Sequence, residues 1–199
     1  MHIATFYTKD TPYENIVVEY LLESCKKQAL PTPTVVGIDS MGSWQRNVAE
    51  KPRIIRELLE KHDKLVFLDA DATVEQYPKL FDEIPEQYDI AFHTLNWNEF
   101  YGYKQTGTVL ELLSGTMYFR NRPKVKTLCD AWYEKAVKSS MWEQKVLQEI
   151  IKDFKLKTYA LPIEYCAIVR SKNFLNLSPI KNPVILHHQK SREMKRAIR

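Results

Sequence analysis

Lys64-Leu65-Val66-Phe67-Leu68 is a continuous apolar run behind a single lysine, and it stops at Asp69. No other feature narrows the fold as much. A strand with one face in water alternates polar and apolar residues, whereas a run that is apolar throughout must be covered on both faces, as in parallel sheets. The preceding residues supply the crossovers such a sheet requires. His2 to Thr8 reads as a strand. Thr11-Pro12-Tyr13-Glu14 reads as a helix start, with a hydroxyl to cap, a proline in the first turn and a carboxylate three residues after the cap. Ile16, Val17, Tyr20, Leu21 and Leu22 continue that helix, Pro31 and Pro33 close it, and Thr34 to Ile38 forms a second strand. After a polar stretch from Asp39 to Glu50, a helix from Pro52 to His62 carries Ile54, Ile55, Leu58 and Leu59 on one side. Strand, helix, strand, helix, strand in the first 70 residues predicts an α/β fold. Right-handed crossovers then bring the C-terminal strand ends to one edge, where open α/β sheets hold their ligands, and Asp69 falls at that edge.

The second half is more mixed. Strands are predicted over Asp89 to His93, Leu112 to Arg120 (interrupted by Ser114-Gly115), Lys157 to Ala160 and Pro183 to His187. Helices are predicted over Pro123 to Lys138 and Met141 to Phe154. With no repeat and no linker, residues 1–199 read as one domain.

Cys25, Cys129 and Cys166 are odd in number and widely spaced, which argues against a disulfide framework or a CxxC metal knuckle and fits a reducing compartment. The sequence has no apolar run of membrane-spanning length and no basic-then-apolar leader. The expectation is a complete cytoplasmic protein with no membrane span; its oligomeric state is left open. The net charge of +4 is unevenly placed, because residues 181–199 carry +5 and leave −1 for the rest. This basic C-terminal tail, about 189–199 and including Lys190, is either a solvated end or a clamp for phosphates.

Asp69-Ala70-Asp71 carries the chemistry. Residues two apart in an extended segment point the same way, so both carboxylates face one site. Paired carboxylates at a strand end suit a hard divalent cation, Mn²⁺ or Mg²⁺, that shares its sphere with phosphate oxygens. Bridging a diphosphate, such an ion neutralises charge as a nucleotide departs. Ala70 leaves room for a ligand to lie close.

The strand and its Asp69-Ala70-Asp71 resemble the DxD region of GT-A-type glycosyltransferases, the nucleotide-diphospho-sugar transferase superfamily. Lys51-Pro52-Arg53-Ile54-Ile55, Leu113-Ser114-Gly115-Thr116-Met117-Tyr118-Phe119-Arg120-Asn121, Trp142-Glu143-Gln144 and Pro183-Val184-Ile185-Leu186-His187-His188 follow the order of that superfamily's other segments. The resemblance runs from His2 to about Gln189. It implies a GT-A-type (Rossmann-like) domain with a mixed central sheet flanked by helices, and a metal-dependent enzyme moving a sugar from a nucleotide-diphosphate donor to a hydroxyl acceptor. By the same resemblance Asp69 contacts the donor ribose or metal, Asp71 ligates the metal, and His187 or His188 is the third protein ligand. Only one of two adjacent strand side chains can face the site, and His187 is favoured. Thr5, Tyr7 and Thr8 hold the base, Lys51 and Arg46 meet the diphosphate, Ser114 and Gly115 lie against the donor sugar, and Gln144 and Lys190 join the donor site.

Glu143 has two readings. Ser140-Met141-Trp142-Glu143 has the spacing of a capping box; the resemblance puts the same carboxylate at the sugar or acceptor. Transfer with inversion needs a base, for which Glu143 and Glu99 are candidates; transfer with retention does not, and the histidine segment favours retention. His93, Asn96, Trp97 and Asn98, beside Phe100-Tyr101-Gly102-Tyr103, are candidates for acceptor contact. The acceptor itself, whether saccharide, protein or modified nucleic acid, is open. Two rivals stand. A nucleotidyltransferase of the same fold is disfavoured because Thr8-Lys9-Asp10-Thr11-Pro12 has no glycine. A non-catalytic sugar- or nucleic-acid-binding domain would rely on the basic tail.

Overall fold

The computed structural model describes residues 1–101, 109–169 and 180–191, with the side chains of Glu99 and Tyr101 outside that set. The larger sheet contains β1 (Ile3–Thr8), β2 (Thr34–Ile38), β3 (Lys64–Leu68), β5 (Ile90–Asn96), β6 (Leu110–Arg120) and β7 (Thr158–Ala160), in the order β2-β1-β3-β6-β5-β7. β1 runs parallel to β2 and β3, β6 runs antiparallel to β3 and β5, and β7 is parallel to β5, so the sheet is mixed. β4 (Ala72–Val74), β8 (Ala167–Ile168) and β9 (Ile185–His187) form a smaller sheet, ordered β4-β9-β8.

The apolar run of β3 divides between two cores, as strand periodicity requires. Leu65 and Phe67 pack with Ile54 and Ile55 of α4 (Lys51–Leu58), Leu128 and Trp132 of α7 (Pro123–Lys138), and Val146 and Leu147 of α8 (Glu143–Ile150). Val66 and Leu68 face the opposite core, with Leu21, Cys25, Phe81, Tyr118, Tyr165 and Ile185. Leu21 and Cys25 come from a continuous helical segment: α1 (Tyr13–Ile16), a π-helical stretch (Val17–Leu22) and α2 (Glu23–Lys27). Thr11 sits at its start, where its hydroxyl accepts from the Tyr13 N–H and donates to the Thr8 carbonyl.

The polar stretch after β2 contains a short helix that periodicity did not reveal, α3 (Trp44–Val48), capped by the Ser43 hydroxyl. Short α5 (Leu80–Glu83) and α6 (Trp97–Tyr101) also had no sequence signal. The capping-box reading of Glu143 is corrected: α8 begins at Glu143 with Trp142 as its cap, no side chain caps it, and the carboxylate is engaged elsewhere. In β6, Ser114-Gly115 does not end the strand but bulges it. β5 pairs Phe92 with Met117 and then His93 with Leu113, so Ser114, Gly115 and Thr116 have no partner on that side. Such a bulge re-aims side chains.

Asp89, fully buried just before β5, holds the far end of the sheet. Its carboxylate accepts from Arg122 Nη1 at 2.9 Å, Lys124 Nζ at 2.5 Å and the Lys157 backbone N–H at 2.6 Å. Burial opposes the charge, but these donors outweigh it and hold the pKa below its ordinary value. A depressed carboxylate pKa stabilises the fold above the unfolded value, and the contribution is lost as pH falls through the folded one. Asp89→Ala removes the buried acceptor of two partly exposed cations and a backbone N–H, and the loss of these charge-assisted hydrogen bonds should cost about 3 kcal/mol. That corresponds to a fall of roughly 6–12 °C in Tm by thermal melt at pH 7, and the difference from wild type should narrow on acidification; a Tm unchanged at pH 7 would refute it.

Candidate functional site

Asp69 and Asp71 follow β3 at the edge of the large sheet, and β9 brings His187 to them through its pairing with β4, in which Ala72 opposes His187. One donor atom from each of the three residues lies within 4.8 Å of the other two. The bulge in β6 makes the space between them. The Asp69 N–H donates to the Gly115 carbonyl at 2.9 Å, and a side chain at Gly115 would meet His187 Cε1 at 2.9 Å, His187 Nδ1 at 3.0 Å and Asp69 Oδ2 at 3.1 Å. Any Cβ there would crowd the donor atoms, which accounts for glycine in the strand interior.

Each ligand candidate has a partner that orients it. Thr116 Oγ1 lies 2.8 Å from His187 Nε2, which leaves Nδ1 toward Gly115 and Asp69. Asp71 Oδ2 accepts from the Lys190 backbone N–H at 2.7 Å. Burial, then repulsion from Asp69, raises the Asp71 pKa, against the pull of His187 and the Lys190 N–H. Burial lowers the pKa of His187 more than the two carboxylates raise it, so the imidazole is neutral at neutral pH. A neutral imidazole with its second nitrogen held by a hydroxyl is the form that ligates metals.

Beside the triad lies a buried ionic cluster. Lys51 opens α4, and its Nζ reaches Asp69 Oδ1 at 2.9 Å, Glu143 Oε1 at 2.6 Å and Ser114 Oγ at 3.2 Å. Burial works against its charge, but Asp69 and Glu143 more than reverse this and raise its pKa. Ser114 Oγ donates to Glu143 Oε1 at 2.8 Å. Gln144 Oε1 accepts the Ser114 N–H at 3.0 Å, and its Nε2 donates to Glu111 Oε1 at 2.7 Å. Glu111 also accepts from Trp97 Nε1 and Lys145 Nζ. Together Asp69, Asp71 and Glu143 against Lys51 leave a formal charge of −2 around a neutral histidine. That deficit and the oxygen-plus-imidazole donor set fit a divalent cation of the Mn²⁺ or Mg²⁺ type.

A cleft of about 610 Å³ opens over these groups. Of the residues singled out from sequence, Tyr7, Thr8, Lys51, Asp69, Asp71, Ser114, Gly115, Glu143, Gln144, His187 and Trp97 line it. Thr5, Arg46 and Lys190 do not. Thr5 is fully buried, with its hydroxyl unpartnered; Arg46 is exposed on α3; Lys190 approaches the site through its backbone, with its ammonium 5.4 Å from the centre of the Tyr20 ring. His188 packs away from the triad, against Thr73 Oγ1 and the edge of Tyr20. His93 is bonded to the Leu161 carbonyl, and Asn96 caps Asn98 locally. The Glu99 side chain, Gly102, Tyr103 and the tail from 192 lie outside the described residues. Tyr13, Trp44, Glu111, Thr116 and Cys166 line the cleft without having been singled out. Burial and the two aspartates push the Tyr13 phenol pKa up, so it stays a neutral hydroxyl beside them.

The sequence pattern of the family described as nucleotide-diphospho-sugar transferase matches residues 19–196. Similar solved structures include a glycosyltransferase involved in the glycosylation of the major capsid of PBCV-1, at TM-score 0.62 and 14% identity over 100% of both chains. Mouse xyloside xylosyltransferase 1 aligns at TM-score 0.57 and 10% identity, over 96% of this chain and 98% of that one. The WbbM bifunctional glycosyltransferase aligns at TM-score 0.54 and 11% identity, over 95% of this chain but 45% of its own. At these identities the likeness is one of fold. No curated protein sequence matches.

A cation held by the triad should stabilise the fold. At a hundred times its dissociation constant, Mn²⁺ adds about 2.7 kcal/mol, which is roughly 5–10 °C in Tm for a chain of this size. Asp71→Asn should abolish the shift. Because the raised Asp71 pKa means that its ionised form weighs against the metal-free fold, the metal-free variant should melt at or above wild type at pH 7. A full Mn²⁺ shift in the variant, measured by differential scanning fluorimetry, would remove Asp71 from the ligand set.

Proposed function

Because this chain belongs to the nucleotide-diphospho-sugar transferase family and is a glycosyltransferase, we propose that it uses a divalent cation at Asp69, Asp71 and His187 to move a sugar from a nucleotide-diphosphate donor to a hydroxyl acceptor. The observation that carries this reading is the convergence of three donor atoms within 4.8 Å around a glycine whose side chain would fill the space. When bound, the ion supplies charge neutralisation for the departing diphosphate. The chain's own groups do the rest. Asp69 and Asp71 would hold that ion through their carboxylate oxygens, at the strand end where the cleft opens. The bulged Ser114-Gly115 backbone lets the donor sugar approach closely. Tyr7 and Thr8, at the end of β1, border the part of the cleft where the base would lie. Gln144 is fixed at both ends of its amide, so it presents its remaining N–H in one direction.

We favour retention of configuration. The carboxylates lining the cleft, among the described residues, are Asp69, Asp71, Glu111 and Glu143. Glu143 Oε1 is shared by Lys51 and Ser114, and Glu111 is held by Trp97, Gln144 and Lys145. Carboxylates already engaged by cations and donors in this way are poorly placed to meet an acceptor hydroxyl, so these groups do not supply the general base that inversion requires. In transfer with retention the leaving diphosphate oxygen can take the acceptor proton.

One domain would carry both substrate sites, and the three buried free thiols suit a cytoplasmic, reducing setting. Among the described residues no helix is long and apolar enough to cross a membrane.

The reading is tested by incubating UDP-, GDP- and dTDP-sugars with Mn²⁺ and the protein and following nucleotide release. One donor should be hydrolysed, the free sugar should first appear by proton NMR in the donor's anomeric form, and Asp71→Ala should lower the rate at least about 100-fold. Release that is independent of metal and unaffected by Asp71→Ala would refute the site, and a sugar released first in the opposite anomeric form would refute retention.

A further inference from the structure

The cleft extends past its ionic centre to a pair of indoles. Trp44, the first residue of α3, and Trp142, the cap of α8, are far apart in sequence but meet edge to face, with ring centroids 6.5 Å apart and planes at 69°. Both line the cleft, and Trp142 remains 42% exposed. Met41 and Met141, close to them in sequence, are exposed as well. Trp132 is completely buried, whereas Trp142, Met41 and Met141 keep 40% or more of their surface exposed. Apolar surface held open in a concave site continuous with a catalytic centre is binding surface.

Its position relative to the donor groups follows from the contacts. Trp142 directly precedes Glu143, whose carboxylate binds Lys51 and Ser114, and Lys51 in turn binds Asp69. One layer of ionic groups therefore links the indoles to the triad. Polar groups share the cleft with the indoles: Ser40, Ser43 and Asn47 line it too, and Lys145 Nζ stands 6.0 Å from the Trp142 ring centre. An aromatic face bordered by hydroxyls and an amide matches a pyranose ring, which has an apolar C–H face and a rim of hydroxyls. A phosphodiester chain would need several unengaged cations. Of the described cations near the indoles, Lys145 is already paired with Glu111, and Arg46, exposed on the same helix as Trp44, is a single charge where such a chain needs several.

We propose that Trp44 and Trp142 form a stacking platform for the acceptor, and that the acceptor is therefore a carbohydrate. This rests on the donor reading above and names the second substrate of the same site.

The test is saturation-transfer NMR on the full-length protein, with diamagnetic Mg²⁺ and UDP present, against methyl glucoside, methyl galactoside, methyl xyloside, lactose and cellobiose. In parallel, Mn²⁺-dependent UDP and GDP binding is measured by calorimetry, which reports on the donor site alone. At least one glycoside should receive saturation on its ring C–H protons. Trp142→Ala should weaken its binding about tenfold or more, as for loss of a stacked aromatic anchor, and Trp142→Phe should keep most of it. Absence of saturation transfer to every glycoside overturns the platform, whatever the calorimetry shows. Equal glycoside binding by wild type and Trp142→Ala overturns it too. Loss of nucleotide affinity in Trp142→Ala without a change in glycoside binding would assign the indoles to the base and overturn it as well. Failure of the wild type to bind either nucleotide would count against the donor reading, separately from the glycoside result.

Discussion

The ammonium of Lys51 joins the parts of the molecule that make the site. From the start of α4 it reaches the carboxylate that ends β3, the hydroxyl and carbonyl in the bulge of β6, and the carboxylate that begins α8. A buried cation is tolerated only where opposite charges and hydrogen bonds replace its hydration. Lys51 has two carboxylates and a serine for that purpose, and their combined field keeps it charged. Three elements meeting at one nitrogen fix the relative placement of the acidic pair, the glycine bulge and the Glu143-Gln144 turn.

The same cluster is electrostatically incomplete. One lysine does not balance three carboxylates, and burial together with repulsion from Asp69 raises the pKa of Asp71. Burial holds His187 neutral and Thr116 occupies one of its nitrogens, so the histidine adds a donor atom without adding charge. A pocket with excess negative charge, a neutral imidazole and a missing Cβ is destabilised by itself and would be stabilised by a cation.

Much of this was legible in the sequence, because periodicity and strand termini are local properties. The continuous apolar run of β3 pointed to the α/β frame and to Asp69 at a strand end, where the cleft opens, and the two-residue spacing put Asp71 beside it. Gly115 stood out because a glycine in an apolar strand needs a reason. The rest depends on contacts between distant segments. The spacing of Ser140 to Glu143 suggested a local cap, whereas the Glu143 carboxylate turns to Lys51, 92 residues earlier in the chain. Trp44 lay in a stretch read only as polar, and nothing local connects it to Trp142. Glu111 begins a strand like any surface acid; its role follows from Gln144, Trp97 and Lys145 converging on it. Thr5 reads as part of the first strand's end, yet it lies in the middle of β1, fully buried with its hydroxyl unpartnered, and does not line the cleft.

The central claim is that Asp69, Asp71 and His187 jointly hold a divalent cation. Pulsed electron paramagnetic resonance of Mn²⁺ bound to the protein, with and without ¹⁵N-labelled histidine, tests it directly. The account predicts one directly coordinated histidine nitrogen whose coupling changes on isotopic labelling and disappears in His187→Ala. Bound Mn²⁺ with no histidine coupling, or a coupling that persists in His187→Ala, would contradict it.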